Sequence, residues 1–165
     1  MDCRAQALGR CPRIIGPTMA GLLIIAHAPL ASSLKTLVGH VFPNEHGIEA
    51  IDVASDALPE QVERAAREAL TAVADPEVLV LTDVFGATPC NAAMRLADGV
   101  QVRVVVGVNV PMLWRAVAHR RNPLAAVAER AVAGAVQGVM QLAPSRPQTQ
   151  TSRSGEHDQD STHDQ

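Results

Sequence analysis

The sequence predicts an α/β domain: an open, mainly parallel sheet with helices on both faces, doubly wound. Three observations carry that prediction. Short, uniformly apolar runs such as Gly21-Leu22-Leu23-Ile24-Ile25-Ala26 and Val78-Leu79-Val80-Leu81 lack alternation and suit strands buried on both faces. Stretches with apolar residues at helical spacing separate these runs. Pro, Gly and Asn punctuate the junctions, so strand and helix alternate, the order that builds a parallel sheet through right-handed crossovers.

The first strand ends on His27, and Pro29 stands in the first turn of a helix. Leu30, Leu34, Leu37, Val38 and Val41 recur at helical spacing through about Phe42. Pro43-Asn44-Glu45-His46-Gly47 is a turn, and Ile48 to Val53 is the second strand. Ser55 or Asp56 is the predicted cap of a second helix with Pro59 in its first turn. Its Val62, Ala66, Leu70 and Val73 face inward, whereas Glu60, Glu63, Arg64, Arg67 and Glu68 face water, with Glu63 and Arg67 as an i,i+4 pair.

Asp75-Pro76 ends that helix. The third strand, Val78 to Leu81, runs into a loop in which Gly86 tolerates unusual dihedrals. Thr88-Pro89 predicts a cap followed by a helix-start proline, with the helix reaching about Ala97. Asp98-Gly99 is a turn, and the valine-rich Val100 to Val108 is the fourth strand. Asn109 ends it. Pro111 opens a helix with Leu113, Trp114, Val117 and Ala118 on its apolar face, and Asn122-Pro123 breaks it. A last helix is predicted from Leu124 to Leu142.

With 165 residues the chain is long enough for one domain with a sizeable core, assigned to residues 19–143. Residues 1–18 are expected to be an unstructured extension, with Met19 as an alternative start. Residues 144–165 are rich in Pro, Ser, Thr, Gln, Asp and His and are expected to be a disordered tail, unable to bury enough apolar surface to offset its ordering entropy. Arg4, Arg10 and Arg13 ahead of an apolar stretch imitate a secretory signal. That stretch is short and broken by His and Pro, and cleavage near Ala28 or Ala31 would remove the strand that bears His27.

Composition excludes several functions. Two Phe, one Trp and no Tyr leave no stacking platform for single-stranded nucleic acid. A net charge of −3 without a basic cluster argues against nucleic acid and anionic membranes. Cys3, Cys11 and Cys90 are odd in number and without CxxC spacing, which fits a reducing compartment. No apolar run reaches the roughly 18–20 residues of a membrane-spanning helix.

Three predicted strands end in polar residues: His27, Asp83 and Asn109. In a parallel sheet those ends share one edge, the edge where ligands bind in open α/β folds. A carboxylate beside a histidine holds one ring N–H and leaves the other nitrogen free as a nucleophile. Gly86, Ala87 and Thr88 lie between Asp83 and a helix start, where backbone N–H groups receive an anion such as a phosphoryl group.

Plainer roles exist for each. A lone histidine at a strand end is commonly structural or solvated, Asp83 can hold a turn and Thr88 can cap a helix. His40, His46 and His119 have no partner at useful spacing, and His40-x5-His46 is too loose for a metal site. Cys90 and Arg95 are separated by four residues where a phosphatase loop needs five, so Cys90 is read as a buried, inert thiol. The turn His27-Ala28-Pro29-Leu30 lacks the glycines of a dinucleotide site, and there is no Walker lysine motif. No metal and no organic cofactor are expected.

Leu23-Ile24-Ile25-Ala26-His27 resembles the first strand and phosphorylated histidine of the mannose-type IIA component of the bacterial phosphoenolpyruvate-dependent sugar phosphotransferase system (PTS). Asp83-Val84-Phe85-Gly86-Ala87-Thr88-Pro89-Cys90-Asn91-Ala92-Ala93 resembles that family's Asp-x-aromatic-Gly-Gly-Ser-Pro-x-Asn-Ala-Ala loop. Gly107-Val108-Asn109-Val110-Pro111-Met112-Leu113 resembles its Gly-Val-Asn-x-Pro-Met-Leu segment. Order and spacing agree over roughly residues 19–143.

The resemblance implies that His27 accepts a phosphoryl group from the phosphocarrier protein HPr and passes it to a IIB component, with Asp83 orienting the ring. It implies that Phe85, Gly86, Ala87 and Thr88 bind the phosphoryl group, supported by Asn91 and Asn109. It further implies a cytoplasmic homodimer with strand exchange near the carboxyl end of the sheet, Trp114 and the last helix being candidate interface elements. Membrane association is then indirect, through the IIC/IID permease alone. Two departures stand out: Ala87 occupies the usual second Gly, and Thr88 replaces Ser. Two alternative functions remain at this point. One is a regulatory protein that signals its phosphorylation state by binding a partner. The other is the phosphotransfer subunit of a dihydroxyacetone kinase.

Overall fold

The computed structural model of the chain describes residues 19–74 and 76–142. The expectations for residues 1–18 and 144–165, and the predicted break at Asp75, lie outside the described residues.

The fold grows outward from β1 (Gly21–His27). Leu22, Ile24 and Ala26 enter one apolar core, Leu23 and Ile25 the other. Both faces of this strand are therefore buried, which is why its sequence shows no alternation. Gly21 is needed at its start: a Cβ there would lie 2.3 Å from the main-chain oxygen of Val73.

The chain continues through α1 (Leu30–Val41), β2 (Ile48–Val53), α2 (Pro59–Val73) and β3 (Val78–Thr82). It ends with α3 (Thr88–Met94), β4 (Val102–Val106), α4 (Val110–His119) and α5 (Leu124–Gln137). The sheet order is β2-β1-β3-β4, with every pair parallel. Helices α1, α4 and α5 pack on the face of Leu22, Ile24 and Ala26. Helices α2 and α3 pack on the opposite face. This is the doubly wound α/β arrangement. Winding reverses between β1 and β3, and the helix layer changes face with it, as right-handed crossovers require.

Several boundaries differ from the sequence expectation. Helix α2 begins at Pro59 with Leu58 at the cap position, so neither Ser55 nor Asp56 caps it. A turn closed by Ala57 N–H on Ala54 O occupies that stretch instead. Helix α3 starts on Thr88 itself, making Ala87 its cap residue, and stops at Met94. Strand β4 is shorter than predicted. The inner stripe of α4 is Met112, Leu113, Ala116 and Val117. It is rotated by one residue from the expectation, and Trp114 is 41% exposed. Helix α5 ends at Gln137, and Val139 and Leu142 are exposed rather than packed.

One buried polar anchor ties the amino edge of the sheet. Arg120, at the end of α4, is 2% exposed. Its guanidinium donates to the main-chain oxygens of Ala20 (3.0 Å), His46 (2.5 Å) and Gly47 (3.1 Å). Its own carbonyl accepts from Ala20 N–H at 2.8 Å.

Candidate active site

Strand β1 ends on His27, and β3 lies beside it in a register that pairs Ile25 with Thr82. Asp83, the next residue, therefore stands at the end of β1, at the point where the winding reverses. Ligand sites of open α/β sheets lie at such reversals, outside the carboxyl ends of the strands.

The contact is close. Asp83 Oδ2 accepts the main-chain N–H of His27 at 2.8 Å and lies 2.7 Å from the ring Nδ1. Asp83 Oδ1 accepts Val84 N–H at 2.7 Å. The His27 side chain is 49% exposed, that of Asp83 only 9%. Burial pushes the Asp83 carboxyl up, but hydrogen bonds from His27 N–H, the His27 ring and Val84 N–H outweigh it. The net shift is downward, so Asp83 is an anion at neutral pH. A carboxylate only accepts, so Nδ1 carries the proton and Nε2 the free lone pair. A half-exposed imidazole with this tautomer fixed is a nucleophile.

The other side of β1 is held by β2. Ala28 N–H donates to Val53 O at 3.0 Å. Ser32 N–H, in the first turn of α1, donates to Asp52 Oδ1 at 3.1 Å. Sequence analysis missed Asp52. The available signal was an acidic residue one position before the end of a strand at the functional edge.

The loop after Asp83 holds the remaining candidates. Gly86 has φ of +81°, a conformation that L residues rarely adopt. Asn91 Nδ2 donates to Gly86 O at 3.0 Å, tying the loop to α3. Ala87 has φ of −78° and ψ of 166°, ordinary extended backbone, so a side chain in place of the usual Gly is free of strain. Thr88 is the first residue of α3 and so does not cap it. Phe85 is 83% exposed. Asn109 shares the edge but serves α4: its side chain accepts from Met112 N–H at 2.9 Å and donates to Ala135 O at 3.3 Å.

Thr88 and Asn91 also line a small cleft of about 130 Å³ against α2, with Pro59, Glu63 and Arg95. A larger cavity, about 440 Å³, lies between α1, α4 and α5 and includes Trp114 and Arg115. No residue of the His27 site lines it. Cys90 is a free, buried thiol. Among the described residues, no group of three or more His, Cys, Asp or Glu is placed to hold a metal ion. No described helix is long and apolar enough to cross a membrane.

Residues 21–132 match the family described as PTS system fructose IIA component, EIIA-man. The chain belongs to that family. It is 28% identical over 106 residues to the fructose-specific EIIA component of the PTS from Bacillus subtilis strain 168, covering 63% of this chain and 73% of that protein. Among solved structures it is similar to the PTS component EIIA from Streptococcus agalactiae, with TM-score 0.68 and 21% identity over 74% of this chain and 97% of that one. It is equally similar to the mannose/sorbose-specific IIA subunit from Enterococcus faecalis, with TM-score 0.68 and 21% identity over 78% of this chain and 98% of that one. At those identities the structures establish the fold. The family match spans β1 through most of α5, so the IIA domain includes both His27 and Asp83.

Proposed function

We propose that this IIA component carries a phosphoryl group on His27, accepting it from phospho-HPr and passing it to a IIB component during sugar uptake. The observation that carries the reading is the double hold of Asp83 Oδ2 on His27, through main chain and ring. Nε2 attacks the phosphorus of the donor's phosphohistidine. The new P–N bond forms as the donor's P–N bond breaks, and its electron pair returns to the donor nitrogen. The Nδ1 proton stays on this ring, where the Asp83 anion offsets the positive charge that develops. Loop N–H groups around Gly86 and the Thr88 hydroxyl support the phosphoryl oxygens. The exposure of Phe85 favours a role in contacting the protein partner over contacting the phosphoryl group.

The domain functions in the cytoplasm, without an organic or metal cofactor, and reaches the membrane only through the permease. It works as a homodimer. Val136, Val139, Met140 and Leu142 form an exposed apolar run at and just beyond the end of α5. Apolar surface of that kind is suited to cover by a second copy.

The test is phosphorylation by phosphoenolpyruvate, the first enzyme of the system and HPr. Acid-labile, base-stable label on wild type and none on His27→Ala is expected. No label on folded wild type overturns the reading. Discharge of the label onto a IIB protein, and not onto a dihydroxyacetone kinase subunit, is expected in the second step.

A further inference from the structure

We infer that Asp52 is a positioning residue for His27, acting through the start of α1; the inference rests on His27 being the phosphoryl acceptor. Only Ala28 and Pro29 separate His27 from α1. That helix has no cap of its own, because Pro29 at the cap position offers no acceptor side chain and the first turn holds no acidic residue. The first N–H groups of a helix have no partner within it. Asp52 supplies one from another strand, its Oδ1 accepting Ser32 N–H at 3.1 Å.

The same turn is closed on Pro29. Ser33 N–H and the hydroxyls of Ser32 and Ser33 all donate to Pro29 O, at 3.2, 3.2 and 2.7 Å. Pro29 and the first turn of α1 therefore form one hydrogen-bonded unit, and Asp52 fixes that unit to β2. In register, Asp52 pairs with Ala26 and Val53 with His27. The end of β1 is thus held from both neighbours: Asp83 grips His27 from the β3 side, and Asp52 and Val53 grip the following turn from the β2 side. Release of the second hold leaves the ring on a backbone that moves, and the Nε2 lone pair loses its alignment with an incoming phosphorus.

The roles of acceptor and charge separate by substitution. Asp52→Asn keeps an acceptor oxygen at the same reach and removes the charge. Asp52→Glu keeps the charge and shifts the acceptor by one methylene. Asp52→Ala removes both. The experiment measures the initial rate of His27 labelling against phospho-HPr concentration, together with hydrogen exchange at Ser32 N–H. Asp52→Asn is expected to stay near wild type with Ser32 protected. Asp52→Glu and Asp52→Ala are expected to lose about ten- to a hundredfold in kcat, the upper figure being the loss that about 1 Å of misplacement of reacting groups produces, with KM unchanged and Ser32 exchanging faster. An impaired Asn variant beside an active Glu variant overturns the proposal in favour of charge. A change in KM alone overturns it in favour of partner docking. Full activity in all three variants overturns it outright and leaves the His27 assignment standing. Failure of wild type to label overturns both.

Discussion

A single carboxylate oxygen, Asp83 Oδ2, bonds to both the main-chain N–H and the ring Nδ1 of His27, at 2.8 and 2.7 Å. The two contacts couple the position of the backbone to the orientation of the ring. Asp83→Asn removes the charge and replaces one oxygen with a donor. Labelling of His27 is expected to fall by about a hundredfold or more, in the range of lost acid–base partners. The stability effect has a definite sign. The Asp83 pKa is lowered in the folded state, so its contribution is present above the unfolded value and disappears as pH falls through the lower folded value. Urea unfolding should show wild type more stable than Asp83→Asn at neutral pH, with the gap closing below about pH 4.

The loop after Asp83 contains a matched pair of positions. Gly86→Ala meets no atom within 4 Å but must hold φ near +81°, and is expected to cost about 1–2 kcal/mol. Ala87→Gly alters ordinary extended backbone and should cost only about 0.4–1 kcal/mol, through the greater freedom of the unfolded chain. Chemical denaturation checks both. Labelling should fall in the first variant and persist in the second.

Thr82 precedes Asp83, is fully buried, and its hydroxyl has no partner among the described residues. Thr82→Val keeps the shape and removes a desolvated polar atom. A gain of about 1 kcal/mol is expected, read as a raised Tm. A lower Tm would show that the hydroxyl is hydrogen-bonded in solution.

Arg120 holds three main-chain oxygens on the edge opposite His27. Arg120→Met removes these donors, taking a partner from the buried Ala20 carbonyl while Gly47 O keeps Leu22 N–H, and is expected to cost about 1–3 kcal/mol in urea unfolding. The effect should be on stability: at a temperature where the variant is folded, the labelling rate should match wild type.

The sheet was legible because β1 and β3 are apolar without alternation, a pattern that burial on two faces produces directly. His27 and Asp83 stood out as polar residues closing such runs, and they meet because β1 and β3 are neighbours. Asp52 was legible only as an acidic residue near a strand end; its contact with Ser32 depends on the register of β1 against β2, which composition does not encode. Helix starts were misplaced by one or more residues where Pro took the first turn. At α2, Pro59 put Leu58 at the cap, and the polar pair Ser55-Asp56 went to a turn. The predicted extension of α5 followed apolar spacing through Val139 and Leu142. The helix stops at Gly138, where a Cβ would lie 2.3 Å from Pro111 Cγ. Arg120 was invisible for a different reason: in the pair Arg120-Arg121 nothing in the sequence marks which arginine will be buried among carbonyls.

The most direct test of the phosphohistidine account identifies the nitrogen that carries the group. Asp83 occupies Nδ1, so phosphorus must attach to Nε2. Phosphorylated protein labelled with ¹⁵N-histidine should show one ³¹P–¹⁵N coupling, to Nε2 of His27, and none in His27→Ala. Coupling to Nδ1, or phosphorus on any other residue, would contradict the account.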